Sequence, residues 1–141
     1  MNNEKNQSNL KQTELSIELK NLFDSAKIAS ENAYSPYSHF KVGAAILCKN
    51  GKQFTGCNIE NASFGGTICA ERVAICKAVS ENEKEFTAIA VYVQSEKLFP
   101  PCGMCRQFMV EFSTDMIVIY GNEQYLEISN IGELLPESFK L

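Results

Sequence analysis

Three stretches of this 141-residue chain constrain its fold more than anything else in it: KVGAAILC at 41–48, FTAIAVYVQ at 86–94 and DMIVIY at 115–120. Successive side chains of a strand point to opposite faces, so a strand with one face in water alternates apolar and polar residues. These runs barely alternate. They predict strands covered on both faces, which requires helices above and below a common sheet. The intervening sequence supplies those helices. Leu15, Leu19, Leu22, Phe23 and Ala26 form the apolar stripe of an amphipathic helix from Thr13 to about Ala33. YSPYS ends it, because the residue before a proline is pushed out of helical geometry. A second helix runs from Thr67 or Ile68 to about Glu81, and a third from Cys102 to about Phe112.

KNGKQ contains the Asn-Gly pair that favours a hairpin turn, which makes FTGCNIE the strand returning from KVGAAILC. The loop NASFGGT carries two glycines, Gly65 and Gly66, that permit backbone shapes other residues avoid. QYLEIS reads as a short last strand before a brief helix. The order α-β-β-α-β-α-β-β-α predicts an α/β fold, one mixed sheet with helices on both sides. No repeat or linker divides the chain, so residues 13–141 are expected to form a single domain behind a flexible polar arm, 1–12.

A net charge of −4, with Lys and Arg scattered, gives no electrostatic footprint for nucleic acid. That charge disfavours an anionic polymer substrate and allows a small neutral molecule. The polar N-terminus lacks the apolar core of a signal peptide, and no apolar run approaches the roughly 18 residues of a membrane span. A cytoplasmic protein is expected, with its six cysteines mostly reduced.

Cys102 and Cys105, in PPCGMCRQ, have a spacing common to zinc sites. Two buried thiols by chance, or a thioredoxin-like redox pair at a helix start, fit the fragment as well. Cys69, in TICAERVAIC, supplies a third thiolate near another helix start. Cys76 cannot be a fourth ligand, because seven helical residues span about 10 Å and two sulfurs on one zinc lie much closer. Cys48 and Cys57 fall on strands and read as core. Three protein ligands leave a position open for water, the arrangement of a catalytic zinc. Glu71 could then move a proton between that water and a substrate, although a carboxylate in a first helical turn also serves the helix alone. Three thiolates and Zn²⁺ sum to −1, which opposes acidifying a bound water. Arg72 is the first candidate for compensation and Arg106 the second, helped by the two helix N-termini.

The layout of Cys69, Glu71, Cys102 and Cys105 resembles that of zinc-dependent nucleobase deaminases. More specifically, YSPYSHFKVGAA, FTGCNIENASFG, TICAERVAICKAVSE, PCGMCRQ and ELLPESF, in this order, resemble the small homotetrameric cytidine deaminases. The resemblance implies a three-layer α/β/α fold with a mixed five-stranded sheet and one zinc per subunit on Cys69, Cys102 and Cys105. It implies hydrolysis of cytidine and deoxycytidine to their uridine counterparts and ammonia, with zinc-bound hydroxide attacking C4 and Glu71 shuttling protons. Asn58 and Glu60 would bind the ribose hydroxyls, Phe40 would lie against the nucleoside, and the Ala70 backbone would contact the base edge. Phe139 would reach into the pocket of a neighbouring subunit. By composition alone, Phe40 and Phe139 read as packing and the lone His39 as structural or surface. Phe64, Lys41 and Pro100 depart from the family pattern, and Gly65-Gly66 also resembles blasticidin deaminases. Rival functions are a zinc-braced binding protein, a thiol oxidoreductase that needs neither Cys69 nor Glu71, and a polynucleotide deaminase, which the acidic charge disfavours.

Overall fold

The longest of the apolar runs becomes the middle of a sheet. In a computed structural model that describes residues 15–141, five strands take the order β2-β1-β3-β4-β5. β1 (Val42–Cys48) and β2 (Gln53–Cys57) form the hairpin, β3 (Phe86–Val93) is central, and β4 (Ile117–Gly121) and β5 (Leu126–Asn130) complete the sheet. β3 and β4 run parallel and the other neighbours antiparallel, so the sheet is mixed. The helices are α1 (Ile17–Ser30), α2 (Ala70–Ser80), α3 (Gly103–Val110) and the single-turn α4 (Ile131–Leu134). The expected order of elements is the observed one. The 1–12 arm and the proposed helix start at Thr13 lie outside the described residues.

Each face of the sheet has its own core. α1 covers one face with Leu22, Phe23 and Ala26 packed on Ala45, Leu47, Ala88 and Ala90. On the other face α2, α3 and α4 bring Ala74, Ile75, Met109, Val110 and Ile131 against Ala44, Ile46, Ile89 and Val118. Residues 44 to 47 thus divide between the two cores in strict alternation, which is why the run contains no polar residue. The layers approach closely where glycine permits it. A Cβ at Gly43 would strike the Ala26 carbonyl of α1, and one at Gly56 would stand 2.6 Å from Ala70 O and Ala74 N of α2.

Local expectations shift by a few residues. α1 ends at Ser30, ahead of the proline segment. The hairpin uses a three-residue loop, Lys49 to Gly51, in which Gly51 takes φ +89° and the Gly51 N–H reaches Cys48 O at 2.9 Å. Gly65 and Gly66 take no left-handed conformation and belong to a 3₁₀ turn, Phe64–Gly66. The left-handed residue near the site is instead His39, exposed, at φ 57°.

Candidate active site

α2 and α3 each start with a cysteine. Cys69 and Cys102 occupy the N-cap positions in extended conformation, and neither side chain makes a capping hydrogen bond. Cys69 is delivered there by a two-residue bridge, Ile68 with Ile59, whose paired N–H···O bonds are both 2.9 Å. This bridge holds residues 67–69 extended and delays α2 to Ala70, later than the periodicity predicts. Cys105, buried, follows in the first turn of α3. The three sulfurs lie within 4.8 Å of one another, with Cys69 and Cys102 3.8 Å apart. Three thiolates about 2.3 Å from one tetrahedral zinc stand about 3.8 Å from each other, so the donor set fits that ion in number, kind and spacing. Among the described residues it is the one such cluster, and Cys76, exposed on α2, is outside it. Cys48 is core, whereas Cys57 is half-buried against the Asn32 carbonyl.

The electrostatics favour a sulfur anion here. Cys69 is pushed down to about 5, chiefly by a hydrogen bond from the Cys105 thiol, with Arg72 and Cys102 adding to it. The same bond holds the proton on Cys105. Arg72 Nη2 approaches Cys69 Sγ at 3.7 Å and Thr67 O at 3.4 Å, while its buried Nε has no hydrogen-bond partner. Arg106 is engaged elsewhere. Its Nε donates to Pro101 O at 2.7 Å and its Nη1 to Leu134 O at 2.8 Å, fastening the segment before Cys102 to the end of α4. Of the two arginines named for charge compensation, Arg72 is the one at the sulfurs.

A cavity of about 540 Å³ opens beside the cluster. Phe40, Asn58, Glu60, Cys69, Ala70, Glu71 and Cys102 all line it, from segments scattered between residues 40 and 102. Glu71 is only 4% exposed, and burial, reinforced by the nearby Cys69 sulfur, raises its carboxyl to about 7. Asn58 is buried and partly committed to the backbone: Oδ1 accepts from Val42 N at 2.9 Å and Nδ2 donates to Phe40 O at 2.7 Å. That engagement also stops β2 at Cys57, short of the predicted Glu60. Glu60 Oε1 accepts from the N–H groups of Tyr37 and Ser38, both at 3.1 Å. The Ser38 hydroxyl together with these N–H groups keeps its carboxyl below the usual range.

Phe139 lies outside its own chain's cavity. The residue is two-thirds exposed and its carbonyl accepts from Gln107 Nε2 at 3.0 Å. Sequence reasoning missed Val42, Val91 and Val93, whose side chains form apolar wall at strand ends, and Phe99, half of an aromatic pair with Phe40. Nothing in the loop SEKLFPP marks Phe99 except its closeness to Pro-Cys.

The family description "Cytidine and deoxycytidylate deaminase zinc-binding region" matches residues 16–121, and the chain belongs to that family. It is 50% identical over 113 residues to a cytidine deaminase of Halalkalibacterium halodurans, covering 79% of this chain and 86% of that one. A probable cytidine deaminase of Dictyostelium discoideum is 46% identical over 123 residues, covering 86% and 84%. The crystal structure of a Burkholderia pseudomallei cytidine deaminase superposes with a TM-score of 0.82 at 43% identity, over 89% of this chain and all of that one. The three-layer α/β/α architecture with a mixed five-stranded sheet is shared.

Proposed function

We propose that this chain is a zinc-dependent hydrolytic deaminase that converts cytidine and 2′-deoxycytidine, with water, to uridine and 2′-deoxyuridine plus ammonia. The observation that carries the reading is a buried carboxylate, Glu71, lining one cavity with Cys69 and Cys102, whose sulfurs converge with that of the buried Cys105. A redox pair would not need Glu71 or Cys69, and a purely structural zinc would call for a fourth protein ligand.

Cys69, Cys102 and Cys105 hold one zinc per subunit, and when bound the ion supplies a Lewis acid that makes water nucleophilic at neutral pH. Glu71 takes a proton from the attacking water and gives it to ring N3 as the C4–O bond forms, then takes the remaining hydroxyl proton and passes it to the amine, which leaves as ammonia when the C4–N bond breaks. The Arg72 guanidinium offsets the net negative charge of three thiolates on a dication. Phe40 lies against the nucleoside and the Ala70 backbone meets the base edge. Asn58 retains a second lone pair and a second N–H for a ribose hydroxyl, and Glu60 retains Oε2.

The exposure of Phe139 supports a homotetramer in which that residue completes a neighbour's pocket. The substrate is a small nucleoside, with no role for nucleic acid or a membrane surface; no described helix is long and apolar enough to cross a bilayer. We place the enzyme in the cytoplasm, in pyrimidine salvage, with residues 13–141 as its single domain. The test is the ultraviolet absorbance of cytidine incubated with the purified protein, alongside zinc analysis. Loss of the cytidine band with about one zinc per chain supports the reading; intact cytidine beside zinc-loaded protein overturns it.

A further inference from the structure

Two prolines separate Phe99 from the metal-ligand position Cys102. Each fixes its own φ near −65° and pushes the residue before it into extended geometry. The connection from Phe99 to Cys102 is therefore stiff, and Arg106 anchors it through Pro101 O at 2.7 Å. This places the Phe99 ring edge-to-face on Phe40, centroids 5.1 Å apart and planes at 79°. Phe40 is held from below as well. Its carbonyl accepts from Asn58 Nδ2, its N–H donates to Ser38 Oγ at 3.0 Å, and the left-handed His39 turns the chain into it. With the backbone of Phe40 fixed, its ring direction is what remains to be set. Both rings line the cavity, and neither belongs to either core. Phe99 is 41% exposed, so core packing does not account for it.

We propose that Phe99 is a positioning residue for the nucleoside, fixing the Phe40 ring through the edge-to-face contact and tying that ring's place to the metal ligand by the Pro100-Pro101 connection. The inference rests on the deaminase reading and on Phe40 lying against the substrate.

The test measures kcat and KM for cytidine with zinc-loaded Phe99→Ala, Phe99→Tyr, Phe40→Ala and the Phe40→Ala/Phe99→Ala double variant. Phe99→Ala is expected to raise KM about three- to tenfold, the span of an aromatic pair's contribution, with kcat within about twofold, the pattern of lost uniform binding. Phe99→Tyr should restore KM. The double variant should be no worse than Phe40→Ala, because one residue acts through the other. An unchanged KM in Phe99→Ala, a fall in kcat alone, or effects that multiply in the double variant would overturn the proposal. Zinc content and melting temperature of Phe99→Ala should match wild type; loss of either would make the residue structural and also overturn it. Zinc-loaded wild type that leaves cytidine intact would sink the deaminase reading first, and this proposal with it.

Discussion

α1 and α2 lie on opposite faces of one sheet and start in different ways. α1 is capped by Ser16, whose Oγ accepts from Leu19 N at 3.3 Å. α4 likewise has a full capping box between Asn130 and Glu133. α2 and α3 have cysteine at the same position and no side-chain cap. An oxygen cap contributes about 0.5–2 kcal/mol, so both helices forgo local stability at their first turns. Each instead starts at a sulfur, where the positive end of the helix dipole favours the anionic form. The two helices without oxygen caps are the two that converge on the cavity. Departure from good capping thus separates the part of the molecule built for function from the part built for stability.

The comparison can be broken most forcefully at Cys69. Cys69→Ser gives α2 the kind of cap α1 has while removing a thiolate. Loss of an outer partner of a metal ligand already costs about 10–100-fold, so turnover should fall by more than about 10²-fold and zinc should be lost. After chelation, the serine variant should melt no lower than chelated wild type. A variant that retained zinc and turnover would remove Cys69 from the site.

The two close-packed glycines offer a matched pair of smaller effects. Gly43→Ala presses on α1 and Gly56→Ala on the first turn of α2, each expected to cost about 1–3 kcal/mol in urea unfolding. Only Gly56→Ala should also lower kcat of the folded, zinc-loaded enzyme, because Ala70 and Ala74 flank Glu71. Equal kcat in the two variants would show that the start of α2 tolerates displacement. Ser16→Ala should have the smallest effect, about 1 kcal/mol of stability with turnover per folded molecule unchanged.

These differences set what could be read from the residues. β1, β3 and β4 were legible because burial on both faces leaves a mark in composition, and the sulfur cluster because metal ligation demands particular atoms at particular spacings. The start of α2 was misplaced because an Ile59–Ile68 bridge, a contact across a loop, overrides helical periodicity. Asn58 read as a sugar ligand, yet it also staples Phe40 and Val42, which only the folded hairpin brings to it. Phe99 was illegible for the same reason: its meaning lies in a ring far away in sequence. Arg72 and Arg106 each sit next to a site residue, and only the folded chain shows that carbonyls have taken the second.

The most direct test of the account separates holding the metal from moving the proton. Glu71→Gln keeps the size of the side chain and leaves all three sulfurs in place. The variant should bind as much zinc as wild type while cytidine turnover falls at least about 10²-fold, the lower end for a positioned acid–base. Near-wild-type turnover in the zinc-loaded variant would contradict the role given to Glu71 and, with it, the reading of the cavity as a deaminase site.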